Sequence, residues 1–327
     1  MRIAALGGGT GLSMLLRGLK QHVARRKQDQ ARRPIADLAA VVTVTDDGGS
    51  SGRLRRDLRM LPPGDIRNCM VALSKDEALL SRLFQYRFAA GRGLAGHNFG
   101  NLFLTALTGV TGDFNEAVRQ AGQVLAIRGR IFPSTTQNVT LEAVLEGGRV
   151  VTGETRISRS QRRIHRVRLK PRGARPLAET LEALRAADVI TLGPGSLYTS
   201  LIPNLLVRGM VSALRRTRAV RVYIANLMTQ PGETTGYSVA DHVRAIHEHT
   251  RARVIDWVVI NRASISPRLL RRYKAQGAAP VRFDVAELHK LGMKVVLDDL
   301  VEEDGVARHH APRLTRLLLE EFIHRRR

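Results

Sequence analysis

The chain has 327 residues, enough to bury a sizeable core as one large domain or as one domain carrying a smaller one. A hydrophobic share of 43% beside 25% charged residues is that of an ordinary globular protein and excludes a disordered one. The net charge of +24 raises nucleic acid or an anionic membrane face as partners, but an aromatic content of 4% argues against a base-stacking surface, so nucleic acid is not expected.

No apolar run approaches the length of a membrane span, and the N-terminus enters an apolar strand where a cleavable leader would carry a basic region and a long apolar stretch. A cytoplasmic location is the expectation. Cys69 is the only cysteine, so neither an intrachain disulfide nor a cysteine zinc site is available. Its spacing with Ile66, Met70 and Leu73 reads as a small buried hydrophobe. The basic residues are clustered: Arg25, Arg26, Lys27, Arg32 and Arg33 in one stretch, Arg159, Arg162, Arg163, Arg166, Arg168, Lys170, Arg172 and Arg175 in a second, and Arg325 to Arg327 in a third. A solvated face or loop is the plain reading of each, with a specific polyanion site as the alternative.

In chain order, the apolar run from Ile3 to Leu6 breaks into Gly7, Gly8, Gly9, Thr10 and Gly11, and a helix is expected from about Leu12. A buried strand that opens into glycines lets bare main chain approach a phosphate, and the first N–H groups of the next helix offer it partial positive charge. Leu12 stands where a dinucleotide fingerprint has glycine, and the Gly-Lys-Ser/Thr of a P-loop is absent, so a simple turn is the alternative. Residues 38–45 form a β-branched run suited to a strand buried on both faces, and it ends in Asp46-Asp47-Gly48-Gly49-Ser50-Ser51-Gly52. Two acids at the carboxyl end of a central strand could accept ribose hydroxyls or hold a hard cation; a turn is the plainer reading. Asp65 is placed to cap the following helix, with Arg67 and Asn68 in its first turn, where an arginine opposes the helix dipole unless an anion lies near.

Residues 91–100 are a glycine-rich loop holding His97 ahead of Asn101, and a histidine there is a candidate base or sugar-hydroxyl partner. Asp113 caps the next helix, with Glu116 three residues on. Residues 129–170 alternate in short segments and read as a small, mostly antiparallel β region inserted between two α/β halves. A second strand, residues 188–192, then opens into Gly193-Pro194-Gly195-Ser196 and Tyr198. If its direction matches the first strand, the two glycine turns share one edge of the sheet and can clasp one extended ligand. A further helix from Asn204, strands at residues 220–225 and 254–260 and a helix at 239–249 continue the alternation. A polar loop bearing Asn226 and Thr229 falls on the same edge.

The segments GGGTGLS, TDDGGSSGRLR, PPGDIRN, GHNFGN, GPGSLYTSLIPNLL and TQPGETTGYSVADH, in this order, resemble the bacterial gluconeogenesis-factor family, related to the 2-phospho-L-lactate transferases of deazaflavin-cofactor synthesis. The likeness spans roughly residues 1–310. It implies a Rossmann-like, mostly parallel sheet with helices on both faces and a small β insertion at about residues 128–172. It also implies a cytoplasmic protein that binds UDP-sugars such as UDP-N-acetylglucosamine or UDP-glucose and serves cell shape and envelope synthesis during gluconeogenic growth. No established reaction comes with the resemblance. The family pattern further implies that nucleotide phosphates lie on Gly8 to Gly11 and that Arg308, beside His309, helps hold the UDP-sugar. The chain departs from that pattern in a longer basic segment at residues 22–36 and in His310.

The expected ligand site therefore has Gly8, Gly9, Thr10 and Gly11 cradling phosphate, supported by Gly193, Gly195, Ser196 and Tyr198. Asp46, Asp47 and Ser50 would bind ribose or a Mg2+ ion carried with the diphosphate; Arg67, beside Asn68, and Arg308 would neutralise it; His97, Asn101, Asn226 and Thr229 would shape the sugar or uracil end. A transferase acting on a nucleotide-diphosphate-linked substrate is the rival to a sensor reporting to envelope-synthesis proteins. NAD binding is a third reading, disfavoured by Leu12. Whether the chain forms a homo-oligomer stays open.

Overall fold

The structure, a computed structural model, describes residues 1–24, 28–29, 33–75, 78–160 and 162–322. Arg25, Arg26, Lys27, Arg32 and Arg325 to Arg327, members of the first and third basic clusters, lie outside the described residues.

Strand β1 (Arg2–Gly7) lies at the centre because Ile3, Ala4, Ala5 and Leu6 have nothing polar to offer either face, and all four are buried. Its neighbours are β2 (Asp37–Val42) on one side and the strand Val189–Leu192 on the other, both parallel to it. β3 (Arg130–Pro133) joins this sheet too, pairing parallel with β2. It was expected within the inserted β region. Its alternating pattern does not say which partner it takes, and the crossover through residues 49–124 returns it to the open edge of β2. The antiparallel sheet contains β4 (Thr140–Leu145), β5 (Val150–Thr152) and β6 (Ile164–Lys170), in the order β5-β4-β6.

With β7 (Val189–Leu192), β8 (Val220–Ile224), β9 (Trp257–Asn261) and β10 (Lys294–Asp298), the main sheet reads β10-β9-β8-β7-β1-β2-β3, with every pairing parallel. β11 (Val301–Glu303) and β12 (Ala307–His309) form a separate antiparallel hairpin. Strand order grows in opposite directions from β1 and β7, so the topological switch point lies between them. That is the position where open α/β sheets leave a crevice at the carboxyl ends of the strands.

Helix α1 (Gly9–Leu19) buries Leu12, Leu15, Leu16 and Leu19, each worth about 2 kcal/mol when withdrawn from water. It starts at Gly9, three residues before the expected position, so the glycine turn is itself the first turn of the helix. Helices α2 (Gly49–Leu58) and α3 (Gly64–Leu73) follow the second strand. Pro63 takes the cap position of α3 and Asp65 lies within its first turn, so Asp65 is not the cap expected for this helix. Asp113 does cap its helix, accepting from the Glu116 N–H at 2.7 Å. After β7 the chain makes a wide turn over Leu197–Leu201 and then a short helix, Ile202–Leu206, in place of a helix beginning at Asn204. Among the described residues, no single helix is long and apolar enough to cross a membrane.

Asn204 is fully buried and its Nδ2 donates to the Gly7 carbonyl at 3.0 Å and to the Ser200 carbonyl at 2.8 Å, tying the end of β1 to the helix after the second glycine turn. Asn204→Ala removes both donors and is expected to cost about 1–3 kcal/mol in urea unfolding. A loss below about 0.5 kcal/mol would show that this tie does not hold the edge together.

Candidate functional site

At the switch point the two glycine turns touch. A Cβ added at Gly11 would come within 2.5 Å of the Pro194 carbonyl oxygen, a backbone atom that cannot swing away, so only glycine permits this approach. Gly9 sits at φ +63°, the left-handed region that turns the strand into α1. β1 and β7 are further joined by the Gly193 N–H, which donates to the Leu6 carbonyl at 2.9 Å. The two turns and the loops opposite enclose a cleft of about 230 Å3.

Of the residues expected at the site, Gly8, Gly9, Thr10, Gly11, Gly195, Ser196, Asn226 and Arg308 line this cleft. The N–H groups of Thr10 and Gly11 belong to the first turn of α1, where no intrahelical acceptor exists. Ser196 Oγ accepts from Gln230 Nε2 at 2.7 Å, which binds the second glycine turn to the loop after β8. Arg308, exposed on β12, reaches the cleft from the opposite lip and makes no ion pair among the described residues. His309 next to it is buried against the Ala225 carbonyl, 3.1 Å from Nε2, and burial pushes its pKa down to about 4, so it is neutral at pH 7. His310 Nδ1 accepts from the Arg313 N–H at 3.2 Å and caps the last helix, which explains a histidine there.

Several cleft residues carried no sequence signature. Met14 faces it from α1, Leu227 and Met228 from the loop after β8, and Tyr273 from the helix Pro267–Ala275. Tyr273 is fixed by its hydroxyl, which accepts from the Ala307 N–H at 2.9 Å. Together these four give the cleft an apolar wall. Gln230 belongs to a quoted segment, TQPGETTGYSVADH, and could have been picked out there.

The other expected residues lie elsewhere. Tyr198 is buried and shares a 2.8 Å hydroxyl contact with Tyr237; Thr229 exchanges hydrogen bonds with Ala279, holding its loop. Gly193 shapes the second turn without lining the cleft. Asp47 Oδ1 accepts from the Thr155 N–H at 2.8 Å and its hydroxyl at 2.7 Å, so that oxygen anchors the inserted region.

The remainder gather in a polar layer beneath the first glycine turn. Ser50 Oγ is 3.0 Å from His97 Nδ1, Asn101 Nδ2 donates to Ser51 Oγ at 3.4 Å, and Arg67 donates to Asn68 Oδ1 at 2.6 Å. Burial, then Arg53, lowers the pKa of His97, which is therefore neutral at pH 7. Asp65 is the link between this layer and the cleft. It accepts from the Gly9 N–H, and a Cβ at Gly8 would come within 2.6 Å of its Oδ2. Burial, reinforced by Asp46, raises its pKa to about 7 against the weaker pull of Arg67. Glu154 is raised strongly by burial and then by Asp65 and Asp46, and Glu233 is raised by burial. Glu154 Oε2, Glu233 Oε2, Asn101 Oδ1 and Arg67 Nε are buried with no hydrogen-bond partner, a density of unsatisfied groups that stable cores avoid. The Mg2+ expectation finds no three-ligand set here, since among the described residues no group of His, Cys, Asp and Glu is arranged to hold a metal ion.

Comparison with known proteins agrees with this architecture. The family described as 2-phospho-L-lactate transferase CofD matches residues 3–301. A protein named "Gluconeogenesis factor" from Bacillus subtilis (strain 168) is 47% identical over 320 residues, covering 98% of this chain and 97% of its own. One of the same name from Halalkalibacterium halodurans is 45% identical over 319 residues, covering 97% and 95%. A crystal structure described as a member of the UPF0052 family, from Bacillus halodurans, superposes with a TM-score of 0.91 at 44% identity, covering 98% of this chain and all of the other. With its parallel sheet, its paired glycine turns and a match over nearly its whole length, the chain belongs to the 2-phospho-L-lactate transferase CofD family.

Proposed function

We propose that the chain is a gluconeogenesis factor that binds a nucleotide sugar, a UDP-sugar such as UDP-N-acetylglucosamine or UDP-glucose, in the cleft between the glycine turns. The observation that carries this reading is the contact of Gly11 with Pro194, which brings two stretches of bare backbone together under Arg308. A diphosphate placed there would meet the free N–H groups of α1 and the positive end of its dipole. Charge-assisted bonds of this kind contribute about 1.5–3 kcal/mol each. Tyr273, Leu227 and Met228 would take the flat, less polar base, and Asn226, Gln230 and Ser196 the hydroxyl groups. A cation accompanying the diphosphate would draw its ligands mainly from the phosphates, given the side chains present. In this reading the protein works in the cytoplasm and reports nucleotide-sugar supply to the machinery of envelope synthesis and cell shape.

Family membership and the raised carboxylates under Gly9 favour one further reading, a transferase acting on a nucleotide-diphosphate-linked substrate. Asp65, close to half-ionised near neutral pH, has the proton affinity of a general base, and it lies within contact of the turn that would hold the diphosphate. Incubation with UDP-N-acetylglucosamine and magnesium, followed by mass spectrometry, separates the two: intact ligand supports a sensor, and a transferred or hydrolysed product supports the enzyme.

Gly9→Asp puts a carboxylate where the diphosphate is to lie; its Cβ would have only Ser200 Oγ within 4 Å, at 3.8 Å, but φ +63° strains any side chain there, so the fold of the variant is checked by circular dichroism. Calorimetry with UDP-N-acetylglucosamine should then show no binding; unchanged affinity would remove the diphosphate from this turn.

Asp65 gives a pH test of the layer beneath. Its pKa rises from 3.8 to about 7 on folding, so its contribution is fully present below the unfolded value and is lost as pH climbs through about 7. The resulting fall in stability between about pH 4 and pH 8 is on the order of 4 kcal/mol, and Asp65→Asn should abolish that share of it in urea unfolding. Identical pH slopes for the two proteins would mean that Asp65 is not the buried proton carrier.

A further inference from the structure

We propose that the opposite rim of the sheet carries a second anion site, for a multiply phosphorylated small molecule, built from Arg215, Arg251 and Arg253 over the buried Arg221. The site is independent of the nucleotide-sugar cleft. β8 and β9 begin on this rim, whereas the cleft lies where β1 and β7 end, and all four strands are parallel. A cavity of about 420 Å3 there is lined by these four arginines and Ala252 alone.

The floor is rigid and neutral. Arg221, with its side chain 3% exposed, donates from Nε to Asp256 Oδ2 at 2.9 Å and from Nη2 to Asp256 Oδ1 at 2.7 Å. Its Nη1 donates to the Leu214 carbonyl at 3.2 Å and the Arg253 carbonyl at 3.1 Å. Four of the five N–H donors of that guanidinium are therefore taken within the fold, and its charge is paired with Asp256. Its work is to pin the loop carrying Arg253 against the end of the helix Met210–Arg216, and so to set the spacing of the arginines above it.

Those three are different. Arg215, Arg251 and Arg253 are exposed, and none has a carboxylate or side-chain hydrogen-bond partner among the described residues. The carboxyl ends of the helices Met210–Arg216 and Val239–Thr250 offset part of this charge, at about half a negative unit each. That accounts for about one of three cations, leaving an excess of about two on the walls of one pocket. Guanidinium groups engage phosphate oxygens in pairs, and three forks around a single cavity match several phosphate groups better than one. His247 supplies a local reporter. Its Nε2 is buried without a partner, and burial, Arg253 and Arg221 all lower its pKa, so an anion bound among these arginines has to raise it.

The test is calorimetric titration of the full chain with pyrophosphate at about 0.15 M salt, where exposed long-range charge is largely screened, with the His247 imidazole followed by NMR. The expected result is saturable binding, a rise in the His247 pKa, and a loss of affinity of at least about ten-fold in Arg251→Ala/Arg253→Ala. Arg172→Ala/Arg175→Ala removes the same charge from an exposed stretch elsewhere and should change affinity less than about two-fold. Both variants leave Arg221, Asp256 and the cleft intact. Equal losses in the two variants would reduce the binding to general attraction and overturn the site. So would pyrophosphate that binds with His247 unmoved and is lost on Gly9→Asp, since that anion would reside in the cleft; the nucleotide-sugar reading would survive that outcome.

Discussion

The contact between Gly11 and the Pro194 carbonyl constrains the rest of the molecule. Two chain segments more than 180 residues apart can bring bare backbone together only if their strands are neighbours, parallel and in register. The Ile3↔Val189 to Leu6↔Leu192 pairing supplies that register, and the burial of both strands on both faces holds it. Reversal of strand order at this pair then leaves the space above the turns open. The cleft follows from topology, and its side chains decorate an edge that the backbone has already made.

Beneath that edge lies the reverse of a stable core. Burial raises the proton affinity of Asp65, Glu154 and Glu233, and neighbouring carboxylates add to it for Asp65 and Glu154, in a space where Arg67 offsets only part of the charge beside Asp65. Burial of such groups costs stability, and their unsatisfied atoms cost more. A protein that keeps them directly under its glycine turn is maintaining a responsive layer there, and the Asp65 bond to the Gly9 N–H couples that layer to the phosphate-facing backbone. Asp47 and Thr155 then connect the inserted sheet to the same layer.

Much of this was legible in the residues, because glycine after a buried apolar run leaves few alternatives. Both glycine turns and their shared edge follow from such patterns, whereas Arg308 was expected at the site only through the family resemblance. What was not legible depended on partners distant in sequence. The short segment at Arg130 does not reveal that it pairs with β2, and Tyr198 in a glycine-rich motif does not reveal that its hydroxyl faces Tyr237. Asp65 has the position of a helix cap, and only the fold shows it turned beneath Gly9. Tyr273 lies inside an ordinary amphipathic helix, where an aromatic facing a cleft looks like one facing a core.

The central claim is that both turns grip one diphosphate. A crystal structure of the chain with UDP-N-acetylglucosamine addresses it directly. The account requires the phosphate oxygens within hydrogen-bond distance of the Thr10 or Gly11 N–H on one side and of Gly195 or Ser196 on the other. A ligand held by one turn alone, or bound with its phosphates away from this edge, would contradict it.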